Sequence, residues 1–137
     1  MAELRPLAES GYADPRGFVD AFFSLMCPGL WASIDESRKD RDRANAEIGL
    51  ADLRSGSIEV ASADLGEVSI PALVIAGANS HPALRSVARR LAASLPDARF
   101  VELVDCGHVT YAEQPDQFAR ALSAFAVEVD RRTAPAR

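Results

Sequence analysis

The feature that most limits the fold is a pair of short apolar runs with an amphipathic stretch between them. Ile70 to Ala76 is aliphatic without alternation, and Ala98 to Val104 reads as a second strand around the largely apolar run from Phe100 to Val104. Between them Leu84, Val87, Ala88, Leu91 and Leu95 recur at the three- and four-residue spacing of a helix. A continuous rather than alternating apolar run is expected of a strand covered on both faces in a parallel sheet. Strand, helix and strand in that order make a βαβ unit, whose strands are parallel and whose crossover is right-handed. The turns after the two strands, Gly77 to Pro82 and Asp105 to Tyr111, then emerge at one carboxyl edge, where open α/β sheets bind ligands. That edge gathers Asn79, Ser80, His81 and His108.

A second helical pattern follows, with Phe118, Leu122, Phe125 and Val129 on one face. His108 therefore sits where a strand hands over to a helix. Ser80 is suited to cap the helix that begins near Pro82, and Asn79 is suited to the turn before it. Upstream, residues 1–14 read as polar and turn-rich, ending at Asp14-Pro15, where Asp14 can cap a helix and Pro15 can take its first position. Phe18, Phe22, Leu25 and Met26 recur at helical spacing until Cys27-Pro28-Gly29 stops the pattern. This is a core-facing helix; as an alternative, Phe22, Phe23, Met26 and Trp31 line a pocket for a small apolar ligand. Ser33 to Leu53 is expected to be a solvated helix with mixed charges at three- and four-residue spacing, followed by Ala44, Ile48 and Ala51. Ser55-Gly56-Ser57 reads as a linker, Ser62 to Ser69 as a connector and Arg131 to Arg137 as a loose tail.

The stretch Asp105-Cys106-Gly107-His108, continuing through Glu113-Gln114-Pro115 to Phe118, resembles the end of α/β-hydrolase-fold enzymes, whose catalytic histidine follows the last strand in a similar context. Ile70-Pro71-Ala72-Leu73-Val74-Ile75-Ala76-Gly77 resembles that family's penultimate strand, and the likeness spans residues 64 to 129 closely. It implies a truncated α/β-hydrolase-like fold: cap-like helices and a connector over residues 1–66, a βαβα unit over 67–130, and the tail over 131–137. It also implies a general base at His108 and an ester- or acyl-type substrate. The family's Gly-x-Ser-x-Gly nucleophile turn does not occur in this sequence, and the usual position of its acid is Ser80, which carries no charge. A complete fold of this kind needs about twice the length, so the resemblance implies completion by a separate amino-terminal half. A two-stranded parallel sheet also leaves open edges and faces, which that half, a second copy in a homodimer or the helices of residues 15 to 54 folding back would cover. The alternative is a non-catalytic ligand-binding or assembly protein derived from the same fold.

Composition narrows the remaining classes. Fifteen basic side chains against 20 acidic ones, a net charge of −5, supply no surplus for a phosphate backbone, so nucleic acid is not an expected partner. Cys27 and Cys106 are expected to be reduced thiols of a cytoplasmic protein, and a chain of 137 residues can bury a core without a disulfide. No apolar run approaches the roughly 20 residues of a membrane span. The histidines and scattered carboxylates have no metal-ligand spacing, and no cofactor motif is present, so neither a metal nor a cofactor is expected.

Overall fold

The computed structural model describes residues 4–11, 13–54 and 61–133, which divide into two compact units, residues 1–59 and 60–137. Ser55-Gly56-Ser57, read as a linker, lies outside the described residues.

The first unit is helical. It comprises α1 (Leu4–Gly11), α2 (Pro15–Met26), α3 (Pro28–Ser33), α4 (Glu36–Ala44) and α5 (Ala46–Arg54). α2 starts as its sequence dictates: the Asp14 carboxylate accepts a hydrogen bond from the Gly17 N–H at 2.9 Å, and Pro15 occupies the first turn. Phe18, Val19, Trp31, Ala46 and Leu50 form the core, with Leu7, Phe22, Phe23 and Ile34 packed around it. The rings of Phe23 and Trp31 stack at 4.7 Å, and the Lys39 ammonium lies 5.6 Å from the indole centre.

Two expectations are corrected in this unit. Residues 4–11 are helical rather than turn-rich, because Leu7 finds the core and Pro6 sits in the first turn, where its missing N–H costs no bond. The expected single helix from Ser33 to Leu53 is broken at Asn45, whose side-chain amide donates to the Arg41 carbonyl at 3.1 Å. The break changes the buried face: Ala46 and Leu50 enter the core, while Ala44, Ile48 and Ala51 are exposed.

Arg43 ties α4 to α2. Its guanidinium donates to both oxygens of Asp20, at 2.8 to 3.2 Å, and also reaches Glu36 at 3.0 Å and Asp40 at 3.2 Å. The Arg43 hydrogen bonds hold the Asp20 carboxyl below its ordinary value. A lowered folded-state pKa gives stabilisation that is complete above the unfolded value and lost as pH falls through the folded one. Asp20→Asn is therefore expected to lower stability at neutral pH and to flatten the acid limb of the stability profile. Urea unfolding at a series of pH values checks both, and an unchanged acid limb would count against the Arg43 link.

The second unit comprises α6 (Ser62–Gly66), β1 (Ala72–Gly77), α7 (Pro82–Ser94), β2 (Ala98–Leu103), α8 (Thr110–Glu113) and α9 (Pro115–Thr133). The connector thus holds a helical turn, and the tail is helical through Thr133; residues 134–137 lie outside the described residues. β1 and β2 are parallel, in register from Ala72 opposite Ala98 to Gly77 opposite Leu103. β1 begins after Pro71, and Ile70, expected within it, is exposed. β2 ends at Leu103, so Val104 lies just past it.

Alternation on β2 places the helices on opposite faces. Glu102 pairs with Arg85 and Arg89 of α7, whereas Arg99 pairs with Glu128 of α9. Arg132 of α9 also makes a two-pronged pair with Asp97, just before β2. Cover on both faces is what the unbroken apolar run of β1 requires. The edges differ from each other. The Ala72 N–H donates to Asp97 and the Ala78 N–H to Leu103, so the backbone groups of Leu73 and Ile75 point away from β2. Among the described residues β1 pairs with β2 alone. Beyond β2, the Gln117 side chain accepts from the Val104 N–H at 3.3 Å and donates to its carbonyl at 3.1 Å.

Candidate functional site

The loop from Val104 to Val109 carries His108 at the carboxyl ends of the strands. It leaves β2 through Asp105, which has φ of 50°, a left-handed conformation that aspartate adopts more readily than branched residues do. It then passes so close to β1 that a β-carbon on Gly77 would collide with the carbonyl oxygens of Cys106 and Gly107. The Cys106 carbonyl accepts from the Asn79 N–H at 2.8 Å, which joins the two loops. The expected gathering of both turns at one edge is present in the backbone. His108 and Asn79 are exposed there, Ser80 is buried and His81 is half-buried.

Individual roles differ from the sequence reading. The cap of α7 is His81, whose Nδ1 accepts from the Ala83 N–H at 3.3 Å; Ser80 precedes it. Among the described residues, no side chain hydrogen-bonds the His108 imidazole. Cys106 is fully buried, with its sulfur 3.7 Å from the Gly107 carbonyl and 3.9 Å from that of Thr110. Burial, and then the nearby Glu113 charge, push its thiol above the ordinary value. A raised thiol pKa disfavours the thiolate that nucleophilic attack requires.

Sequence reasoning missed what holds this loop. One Glu113 oxygen accepts from the Gly107 N–H at 2.8 Å and the other from the Val109 N–H at 3.0 Å, on either side of His108. Gln114 donates to the Asp105 carbonyl at 3.0 Å and is itself bonded by Gln117 at 3.0 Å. Three side chains from the end of α8 and the start of α9 thus strap six residues of loop. The capping-box pattern does not flag it, because Val109 caps α8 without a side-chain bond and Glu113 lies four residues on rather than three. With both oxygens committed to backbone, Glu113 does not serve as a partner for the imidazole.

The strap has a measurable strength. Glu113→Ala leaves two partly buried N–H groups unpaired, at a cost of about 1–3 kcal/mol for each such group. Amide exchange at Gly107 and Val109 is expected to accelerate about ten- to a hundredfold, with Glu113→Gln intermediate because it retains one acceptor oxygen. Unchanged exchange at both amides would show that the loop is held by other means.

The apolar residues of the first unit are placed differently. A cavity of about 480 Å³ has Phe18, Phe22, Phe23 and Ile48 among its walls, together with Asp42 and Asp52. Phe22 and Phe23 were both expected at such a pocket and both line it. Met26 and Trp31, expected beside them, are only 6% and 7% exposed and lie outside that lining. Trp31 is held in the core by its stack on Phe23. Among the described residues no group of three His, Cys, Asp or Glu side chains could hold a metal ion, and no helix is long and apolar enough to cross a membrane.

Comparison with known proteins agrees with this architecture. Residues 1–121 match the model of the "Alpha/beta hydrolase family". Over 118 residues the chain is 30% identical to the protein named carbamate hydrolase RutD from Pseudomonas syringae pv. syringae (strain B728a), covering 81% of this chain and 46% of that one. Among solved structures, MenH from S. aureus superposes with a TM-score of 0.65 at 19% identity, covering 82% of this chain and 45% of that one. The 2-hydroxy-6-oxo-6-phenylhexa-2,4-dienoate hydrolase BphD from Rhodococcus sp. strain RHA1 gives a TM-score of 0.61 at 24% identity, covering 85% and 46%. At these identities the two structures speak for the fold, and the chain spans less than half the length of each relative. With its parallel βαβα unit and strapped histidine loop, the chain belongs to the alpha/beta hydrolase family.

Proposed function

We propose that this chain is the histidine-bearing part of a hydrolase acting on a small ester- or acyl-type substrate, with His108 as general base once a partner completes the site. The observation that carries the reading is the loop itself: His108 is exposed at the strand ends while the backbone on both sides of it is hydrogen-bonded to Glu113. A general base needs such fixed access to the proton it removes. The relatives' greater length supports the need for completion. A separate amino-terminal half fits that role, and the outward backbone groups of Leu73 and Ile75 on β1 offer the place for it. The similarity to a protein named for carbamate hydrolysis adds carbamates to the substrates worth assaying.

The chain alone is expected to hydrolyse short nitrophenyl esters no faster than its His108→Ala variant. A lone imidazole has no positioned nucleophile to activate, and the neutral Ser80 supplies no orienting charge. Addition of a matching amino-terminal half is expected to create activity that falls about 10²- to 10⁴-fold in His108→Ala. Turnover by the isolated chain that His108→Ala abolishes and a serine-directed phosphonate titrates would overturn the proposed division of parts.

A second reading, a non-catalytic ligand-binding protein of the same fold, is favoured by two observations. The imidazole has no hydrogen-bonded side-chain partner among the described residues, and the first unit contains a sizeable apolar cavity. Binding of a small apolar ligand with no His108-dependent turnover, even with the added half, would decide for it.

A further inference from the structure

We infer that the outer side of β1 is a docking slot for a β-strand that is aliphatic on both of its faces, supplied by the amino-terminal half that completes the site. The inference deepens the proposed function and rests on its reading of a separate half. β1 runs from Ala72 to Gly77 without a charge, a proline or a bulge, the devices by which exposed edges are kept from pairing. β2 carries such charges in Arg99 and Glu102. β1 is thus built as an interior strand, yet among the described residues it pairs with β2 alone. The N–H and C=O groups of Leu73 and Ile75 point outward, the alternating row that an added strand satisfies.

The helices on the two faces leave apolar ledges beside the slot. On α7, Arg85 and Arg89 lean towards β2 to reach Glu102. Val87 and Leu91 follow each of them by two residues, about 200° round the helix axis, so they lie on the flank away from β2, 61% and 36% exposed. On α9, Glu128 and Arg132 lean towards Arg99 and Asp97 on the β2 side. Leu122 lies about 100° round from them, beyond the half-buried Phe118 and Phe125, and is 49% exposed. Large apolar side chains thus flank the open side of β1 on both faces of the sheet. Successive side chains of a strand entering there point to alternate faces, so it buries both sets, and a polar set on either face would be desolvated without partners. The relatives supply the occupant, since each has more than half of its length outside the matched part.

The test uses the full chain and three lysine-flanked peptides. The first has valine at six central positions, matching the 6 residues of β1; the second has threonine at alternate central positions; the third is the all-valine peptide broken by two central prolines. Fluorescence anisotropy measures affinity, and amide exchange locates the contact. The all-valine peptide is expected to bind about tenfold more tightly than the alternating one, and the proline peptide not to bind. Exchange at Leu73 and Ile75 is expected to slow about tenfold or more on binding, with the amides that face β2 unchanged. Val87→Asp and Leu122→Asp, both at exposed positions, are each expected to weaken the all-valine peptide about tenfold while the β2 amides stay protected and report an intact sheet. Equal binding of the first two peptides, protection at other residues only, or no binding by the folded chain would overturn the inference. So would prior protection of Leu73 and Ile75 in the chain alone, by a second copy or by residues 15 to 54, because the slot would then have another occupant. The hydrolytic reading fails separately: the expected peptide binding, with no His108-dependent turnover when an amino-terminal half is added, removes the catalytic role and keeps the slot.

Discussion

Gly77→Ala is expected to destabilise the βαβα unit by about 3 kcal/mol or more, among the largest losses available to a one-carbon change. An added β-carbon there would meet the carbonyl oxygens of Cys106 and Gly107 and lie 2.7 Å from the Cys106 carbonyl carbon. All three obstacles are backbone, so no rotamer change relieves them. The loop must withdraw, and its withdrawal breaks the bond from the Asn79 N–H to the Cys106 carbonyl that joins the two strand-end loops. His108 moves with it. Gly66→Ala is the matching control, because nothing lies within 4 Å of its added carbon. Urea unfolding followed by circular dichroism measures the difference, and amide exchange at Ala78 and Asn79 localises it. A Gly77→Ala protein as stable as the Gly66→Ala control would mean that the loop approaches β1 less closely than described.

Trp31→Ala is expected to cost the helical unit about 3–5 kcal/mol. The indole is 7% exposed within the core, stacked on Phe23 and covered on another side by Lys39. Removal therefore opens a cavity beside the ring of Phe23. Trp31→Phe keeps a ring for the stack, so a smaller loss is expected. Because this is the chain's single tryptophan, the unfolding of both variants is best followed by amide signals of Val19, Ala46 and Leu50. Full protection of those amides in Trp31→Ala would remove Trp31 from its place as a core residue.

How far the sequence disclosed the structure depended on whether a residue's role leaves a periodic trace. Ile70 to Ala76 and the stripe from Leu84 to Leu95 announced strands and helix because burial repeats along them, and Asp14-Pro15 announced a helix start through local chemistry alone. α1 left no such trace: eight residues are too few for a period to stand out, and its stability comes from Leu7 reaching distant parts of the chain. The break at Asn45 was equally silent, since mixed charges mark an exposed face without saying where the helix ends. At the histidine loop, His108 could be read from its neighbours. Glu113 and Gln117 could not be assigned their roles, because a side chain bonded to backbone N–H and C=O groups requires no particular residue opposite it. The core-facing reading of α2 holds for Met26, and only the alternative that put Met26 and Trp31 at a pocket fails, because an apolar stripe does not distinguish the residues that fill a core from those that border a cavity beside it.

The Gln117 clamp also bears on how sheet edges of this kind can join. By occupying the N–H and C=O of Val104, just past the end of β2, a glutamine does there what a neighbouring strand would do, and the charges of Arg99 and Glu102 discourage a real one. On β1 the outward backbone groups of Leu73 and Ile75 carry no such clamp among the described residues. A contact made through that side alone could not be passed onward, since each new member would arrive with its β2 side outermost. Edge contacts of that one kind would end in closed pairs, because open-ended stacking needs a second receptive edge on which to continue.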